Sequence, residues 1–485
     1  MRKVKKFAIF TSIILLFTIF GANLSAMAAF TPKFALNSEA VYMVNLDTDI
    51  VVVSKNADKQ LPPASITKIM TCLVSLENIK DFDAYCEVTY DAFNEFNNID
   101  PNFYGPSHAD IKPLQSNITY WDALYSMMIA SACESANILA YNVGGGSIEN
   151  FVSMMNAKAK EIGCKNTHFT NPHGLYAEDN LSTAYDMYLI TKYAIDKYPG
   201  FMKICNTYSY DMPPNSSNPD GYTITHTNQM MKTTSEYYYE GVEGVKTGSI
   251  DYYFHKTNGE WDWNNFDLGS RTLVTTAKKN GYTYMIVSLG APYFNEDGTP
   301  TDTQLSFTDH INLYDWAFNE FEYTLVIGKN QQITQIDVDK GENADKVGVI
   351  ATEDFYTLLP KTLDITTIQQ IRNVEEMLEA PVTKGAKVGD LELRLNGETL
   401  AKMTLVTEQD IELDMAAFYK EKIMNIISTT KFKVIVILVV VLIILLIVAT
   451  TVAKQHKKRV AELKRRRKIN MAPAKGGKPN VKRRK

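Results

Sequence analysis

The sequence predicts a mixed α/β (α+β) domain, then a small all-β domain and one C-terminal transmembrane helix. Three observations carry this prediction. β-rich runs stand on either side of a middle stretch, residues 85–205, that reads as mainly helical. Near residue 322 the pattern changes to short β-like runs divided by turns. Val434 to Ala453 is 20 consecutive residues without a charge. At about 1.5 Å per residue that run spans roughly 30 Å, the hydrocarbon thickness of a bilayer.

The first and last elements separate the charge. Among 485 residues the formal net charge is −5, but residues 1–28 carry four basic side chains and no acid. Residues 454–485 carry 15 basic side chains and one acid, Glu462. Removing the +4 and +14 of these ends leaves −23 for residues 7–453, an acidic body that argues against nucleic acid as a partner. Arg2, Lys3, Lys5 and Lys6 precede an apolar run, Phe7 to Phe20, and the triplet Ala26-Met27-Ala28. This reads as an export signal over residues 1–28, with an uncleaved anchor as the alternative. At the other end only Lys431 and Lys433 precede the 434–453 span, so the basic tail belongs in the cytoplasm and residues 29–433 outside, with the tail touching anionic lipid. Five cysteines, Cys72, Cys86, Cys133, Cys164 and Cys205, form no metal-ligand pattern and read mostly as buried thiols, with one pair possible.

Between the ends, Ala40–Leu46 and Ile50–Val53 read as a hairpin about Asp47-Thr48-Asp49. Pro62-Pro63 opens a helix near Ser65, and Ile66, Ile69, Met70, Leu73, Val74 and Leu76 cover so wide a face that it must be buried. Asn280-Gly281, between Arg271–Thr276 and Tyr282–Leu289, is a strong hairpin-turn signal. The runs at 332–338, 346–352, 391–395 and 403–407 give a β domain over residues 323–408. Residues 409–433 read as a juxtamembrane helix, with Met415, Phe418, Tyr419, Ile423, Ile426 and Ile427 as its apolar stripe. Asp337-Val338-Asp339-Lys340-Gly341 lacks the later ligands of a calcium loop.

The chemistry begins at Pro62-Pro63-Ala64-Ser65-Ile66-Thr67-Lys68. Residues three apart on a helix share a face, so the Lys68 amine can reach the Ser65 hydroxyl. A serine needs a neighbouring base, and a buried lysine near a second cation can be neutral enough to serve. Taken alone, S-x-x-K is more often plain helix surface. Lys246-Thr247-Gly248 gives it company: the glycine admits a ligand to the backbone, while lysine and threonine offer a cation and a hydroxyl to a carboxylate. K-T-G alone is equally weak; together, in this order, the two match the motifs of penicillin-recognising serine enzymes.

The sequence resembles the serine-type D-alanyl-D-alanine carboxypeptidases, low-molecular-mass penicillin-binding proteins anchored at their C-terminus. Pro62 to Thr71, Asn166 to Leu175, Thr183 to Met187 and Gly241 to Gly248 resemble family segments, and Ala380 to Leu395 resembles the family's C-terminal β domain. The resemblance implies a transpeptidase/β-lactamase-like fold over residues 29–322, peptidoglycan stem peptides as substrates, β-lactams as ligands, and no metal or organic cofactor. It implies Ser65 as the acyl-ester nucleophile, Lys68 as general base and Ser131 as proton relay. Lys246 and Thr247 would bind the terminal carboxylate, with Gly248 beside them in the substrate site and the backbone N–H groups of Ser65 and Ser249 as the oxyanion hole.

Two departures stand out. In the family's middle motif, S-x-N, this sequence has Ser131-Ala132-Cys133, placing a thiol where an amide binds substrate; Ser135-Ala136-Asn137 is a rival register. A thiol is a weak donor, so Cys133 either weakens substrate positioning or is a tolerated buried residue. Ser249 to Leu268, rich in Tyr252, Tyr253, Phe254, Trp261 and Trp263, intervenes where the family returns quickly to the next strand; it either grips substrate or is a loop packing its own aromatics. A β-lactamase and a wall-binding scaffold with decayed catalysis are the alternative functions.

Overall fold

The strand β1 (Ala40–Asn45) is buried at every position, so the sheet it enters must be covered on both faces. A computed structural model describes residues 30–98, 106–257 and 260–469; the export signal expected over residues 1–28 and the tail beyond residue 469 lie outside the described residues. The chain forms two compact units, Met1–Lys329 with Glu353–Arg372 and Leu391–Met403, and Asn330–Thr352 with Asn373–Asp390 and Thr404–Lys485.

In the first unit, β1 and β2 (Ile50–Lys55) form the expected hairpin, with Asp49 in the left-handed region. A short 3₁₀ turn (Ala64–Thr67) leads into α1 (Lys68–Asn78), so Ser65 sits in the turn and the α-helix proper starts at Lys68. Helices follow: α2 (Tyr120–Ile129), α3 (Cys133–Val143), α4 (Ile148–Ile162), α5 (Ala184–Lys197) and α6 (Pro199–Cys205). Their starts are legible, because Thr119, Ser147 and Thr183 each cap a helix by accepting from a backbone N–H in its first turn. A small hairpin, β3 (Ser209–Met212) with β4 (Tyr222–Thr225), precedes the long strands β5 (Val242–Thr257), β6 (Glu260–Lys279) and β7 (Tyr282–Pro292). Asn280 and Gly281 both take positive φ in the two-residue β6–β7 turn, as their chemistry predicts.

These strands make one antiparallel sheet in the order β2-β1-β7-β6-β5, which leaves β5 on an edge. Alternation along the strands divides the core in two. Tyr42, Val44, Val274, Met285 and Val287 pack with Ile66, Ile69, Met70 and Leu73 on the face of the helical lobe. Val41, Met43, Leu273, Tyr284 and Ile286 face the other way, onto Leu313, Tyr314, Ala317 and Phe318 of α7 (Leu305–Glu320). The expected wide burial of α1 is observed: Lys68 through Leu76 are all buried. Strand Phe321–Ile327 pairs with Phe355–Pro360 in the same unit.

Within the second unit, Gln332–Asp339 pairs antiparallel with Lys346–Ala351 and parallel with Met377–Glu379. Lys340 takes three carboxylates there, Asp339, Glu379 and Glu421 at 3.1, 2.7 and 2.6 Å, so the segment that faintly resembled a calcium loop is an ion-pair cluster. Asp414 caps helix Met415–Ser428, whose Met415, Tyr419, Ile423, Ile426 and Ile427 are exposed. Helix Thr430–Ile469 follows and continues past the apolar span into the basic sequence; it is long and apolar enough to cross a membrane.

Candidate active site

A cleft of about 750 Å³ runs along the exposed edge of β5, between that strand and the helical lobe. Ser65, Ser131, Cys133, Thr247, Gly248 and Ser249 all line it. The motifs lie up to 184 positions apart in sequence, from Ser65 to Ser249, and the fold brings them together.

Lys68 Nζ lies 2.9 Å from Ser65 Oγ, the contact expected from their spacing. The lysine side chain is wholly buried, and burial lowers its pKa because the charged form loses water. Its amine also donates to the His173 carbonyl at 2.6 Å and meets Cys133 Sγ at 3.5 Å. The amine is thus oriented by a carbonyl on one side while the serine hydroxyl occupies another. Neutral, it has a lone pair to accept the serine proton.

Lys246 is also wholly buried and donates to the Thr247 carbonyl at 2.9 Å. It does not itself line the cleft; Thr247, Gly248 and Ser249 do. Burial lowers its pKa well below the ordinary lysine value, and the Lys68 charge lowers it further. Gly248 is required by space: a Cβ there would lie 2.4 Å from Thr272 Oγ1 and 2.9 Å from the Ser65 nitrogen. That close approach brings the edge of β5 against the Ser65 amide. Gly174 has the same task opposite, since a Cβ there would stand 1.9 Å from the Ala64 carbonyl oxygen. Ala64, the residue before Ser65, and Ser131 both hold positive φ, 51° and 64°, strained values for residues with a side chain, and Ser131 lines the cleft.

Of the two registers for the middle motif, Ser131 and Cys133 are at the cleft. Ser135 is buried and pairs with Ser126 through their hydroxyls at 2.7 Å, and the Asn137 amide turns to Glu95 and the Ala92 carbonyl. Burial raises the Cys133 thiol pKa, against the opposing pull of Lys68, so the thiol stays protonated.

Residues 26–257 match the family model described as D-alanyl-D-alanine carboxypeptidase, and residues 321–413 match the penicillin-binding protein 5 C-terminal domain. The chain belongs to the D-alanyl-D-alanine carboxypeptidase family. It is 29% identical over 408 residues to the D-alanyl-D-alanine carboxypeptidase DacF of Bacillus subtilis (strain 168), covering 83% of this chain and 92% of that one. With DacC of Escherichia coli (strain K12) it is 27% identical over 392 residues, 78% of this chain and 85% of the relative. The crystal structure of the carboxypeptidase DacD from Francisella tularensis shares its fold at a TM-score of 0.57 and 21% identity, over 80% of this chain and 96% of that one.

Family membership makes the departures informative. The segment after Lys246-Thr247-Gly248 is not a loop. β5 and β6 continue as a paired ladder out to Thr257↔Glu260. Tyr252 packs on Phe266 at 4.9 Å and stacks on Phe294 at 5.2 Å, and Tyr253 meets Tyr176 at 5.3 Å, so the aromatics join both each other and the cleft rim. The sequence also gave no sign of three supporting groups. The His173 ring accepts from Leu175 N at Nδ1, 3.1 Å, which leaves its Nε2–H to donate to Glu95 at 2.7 Å. Thr71 Oγ1 donates to the Pro172 carbonyl at 2.6 Å, tying this loop to α1. Thr227 Oγ1 lies 2.5 Å from Thr247 Oγ1. Backbone carbonyls and contacts between distant loops leave no periodic mark; the only available signal was the loop's resemblance to the family.

Proposed function

We propose that this protein is a serine-type D-alanyl-D-alanine carboxypeptidase that removes the terminal D-alanine from peptidoglycan stem pentapeptides. One observation carries the reading: the Ser65 hydroxyl stands 2.9 Å from a fully buried lysine amine in a cleft bounded by the K-T-G strand. Lys68 accepts the Ser65 proton as Oγ attacks the carbonyl carbon of the penultimate D-alanine. The backbone N–H groups of Ser65 and Ser249 stabilise the oxyanion, a charge present only in the transition state. The C–N bond breaks, Ser131 relays a proton to the leaving nitrogen, and D-alanine departs. Water then hydrolyses the Ser65 ester and returns the proton to the site.

Thr247, with Lys246 behind it, would hold the terminal carboxylate, and Cys133 would flank the acyl chain. β-Lactams would acylate Ser65 because they present the same carbonyl and carboxylate. The apolar helix anchors the protein in the cell membrane, with the catalytic unit on the cell-wall side, where its substrate is found. Fluorescent penicillin is expected to label the full-length protein and not the Ser65→Ala variant. An unlabelled wild-type protein would sink the reading. D-Alanine release from a pentapeptide, exceeding the rate of penicillin turnover, separates the carboxypeptidase from a β-lactamase.

A further inference from the structure

Besides Glu95, which is paired with His173, two charged groups line the cleft that this reaction does not use. Asp251 in β5 and Arg271 in β6 both line it, and Arg271 stands directly across the ladder from Ser249. The Arg271 guanidinium lies 4.0 Å from the centre of the Tyr293 ring, and one of its nitrogens is 3.5 Å from Thr301 Oγ1. These contacts orient the guanidinium, yet it has no carboxylate partner among the described residues. Asp251 is its counterpart. Its Oδ2 is shut off from water with no hydrogen-bond partner among the described residues. Burial raises its carboxyl pKa, and the charge of Arg271 pulls the other way. The two are near enough to interact and do not pair. Held apart on one wall, the buried Asp251 oxygen lacks a donor and the Arg271 guanidinium lacks an anion, and a ligand bearing both charges would supply each.

We propose that Asp251 and Arg271 form a subsite for a zwitterionic amino-acid end, with Arg271 binding its carboxylate and Asp251 accepting from its ammonium. The proposal rests on the stem-peptide reading above. In such a peptide, the group of this chemistry is the free amino-acid end of a diamino-diacid side chain on the residue before D-alanyl-D-alanine. The extended β5–β6 hairpin supplies the wall that would meet it, since Asp251 lies beyond the K-T-G turn of the strand. Specificity here is a matter of unpaired charges: a substrate lacking either group leaves one side chain desolvated and alone.

Binding to the full-length Ser65→Ala protein in detergent tests this without turnover. Three pentapeptides would be titrated calorimetrically, with diaminopimelate, lysine or Nε-acetyl-lysine as third residue. The diaminopimelate peptide is expected to bind at least about tenfold more tightly than the acetyl-lysine peptide, as charged hydrogen bonds of this kind warrant. Adding Arg271→Gln or Asp251→Asn should erase that advantage and leave the acetyl-lysine peptide unchanged, while Arg271→Lys should keep part of it. Equal affinities for all three peptides would overturn the proposal. So would variants that weaken all three alike, which would assign Arg271 to the terminal carboxylate. D-Alanine release from the acetyl-lysine peptide by the protein with Ser65 intact separately tests the hydrolase reading, so the two can fail independently.

Discussion

Lys68 meets two conflicting demands with one amine. Stability favours keeping a lysine in water, whereas the base role proposed for it needs it dry and neutral, and the fold buries it completely. The sign of the pH dependence follows. Below its lowered pKa the amine is protonated and cannot accept the Ser65 proton, so penicillin acylation should rise with pH along a limb lying below the ordinary lysine range. Acylation rates measured from pH 5 to 10 would show it, and a flat profile would exclude Lys68 as the base. Stability carries the same signature: the unfolded chain binds a proton at Lys68 that the folded chain does not, so stability rises with pH up to the ordinary lysine value. A Lys68→Met variant lacks that contribution, and its melting temperature relative to wild type should fall as pH rises from 7 towards 10. Cys133 poses the complementary question. Its thiol sits 3.5 Å from the same amine where an amide would offer two polar atoms, and Cys133→Asn should raise kcat/KM for peptide by up to about tenfold, the order of one well-placed donor. Ser65, Lys68 and Lys246-Thr247-Gly248 were legible in sequence because each motif is local. His173, Thr227, Asp251 and Arg271 were not, because their roles depend on partners far away in the chain.

At the scale of elements, the site depends on how closely β5 can press against the 3₁₀ turn that carries Ser65. Gly248 sets that distance, and a Cβ there would meet the Thr272 hydroxyl and the Ser65 nitrogen well inside contact range. Gly248→Ala must push the strand away from the turn. The overpacking should cost about 1–3 kcal/mol of stability. The larger expected effect is on acylation, a fall of on the order of 100-fold, because a displacement near 1 Å misaligns the reacting groups. A melting curve and a penicillin-labelling rate on the same sample separate the two, and a normal labelling rate would refute the close-approach argument. Turn chemistry explains why some elements could be foreseen. Asn280-Gly281 signals its turn in two residues, and the turn is where it was expected. The β5–β6 extension could not be foreseen. Tyr252-Tyr253-Phe254 is an unbroken aromatic run with no polar alternation, and the two asparagines and the aspartate of Asn264-Asn265-Phe266-Asp267 mimic a turn inside a strand.

At the scale of the whole molecule, the charge division supports the proposed membrane anchoring. The net charge of −23 over residues 7–453 suits an aqueous exterior, and the apolar run of helix Thr430–Ile469 passes directly into basic residues of the same helix. A bilayer-crossing helix needs only about 20 residues. With the proposed span in a bilayer, the remaining turns would extend into water on the basic side, where Lys and Arg would meet anionic headgroups. Helix Met415–Ser428 precedes this span, with exposed isoleucines and a cap of its own at Asp414. Each of these segments belongs to the second compact unit, whereas every cleft residue belongs to the first. Anchoring and chemistry should therefore separate. A chain ending at Thr429 should leave the membrane fraction and keep its penicillin-labelling rate within about twofold, because no residue of the cleft is lost. Fractionation followed by labelling of the soluble pool checks both halves. A truncated protein that is soluble but no longer labelled would mean that the span supports the site as well as the anchor, and the separation would be wrong.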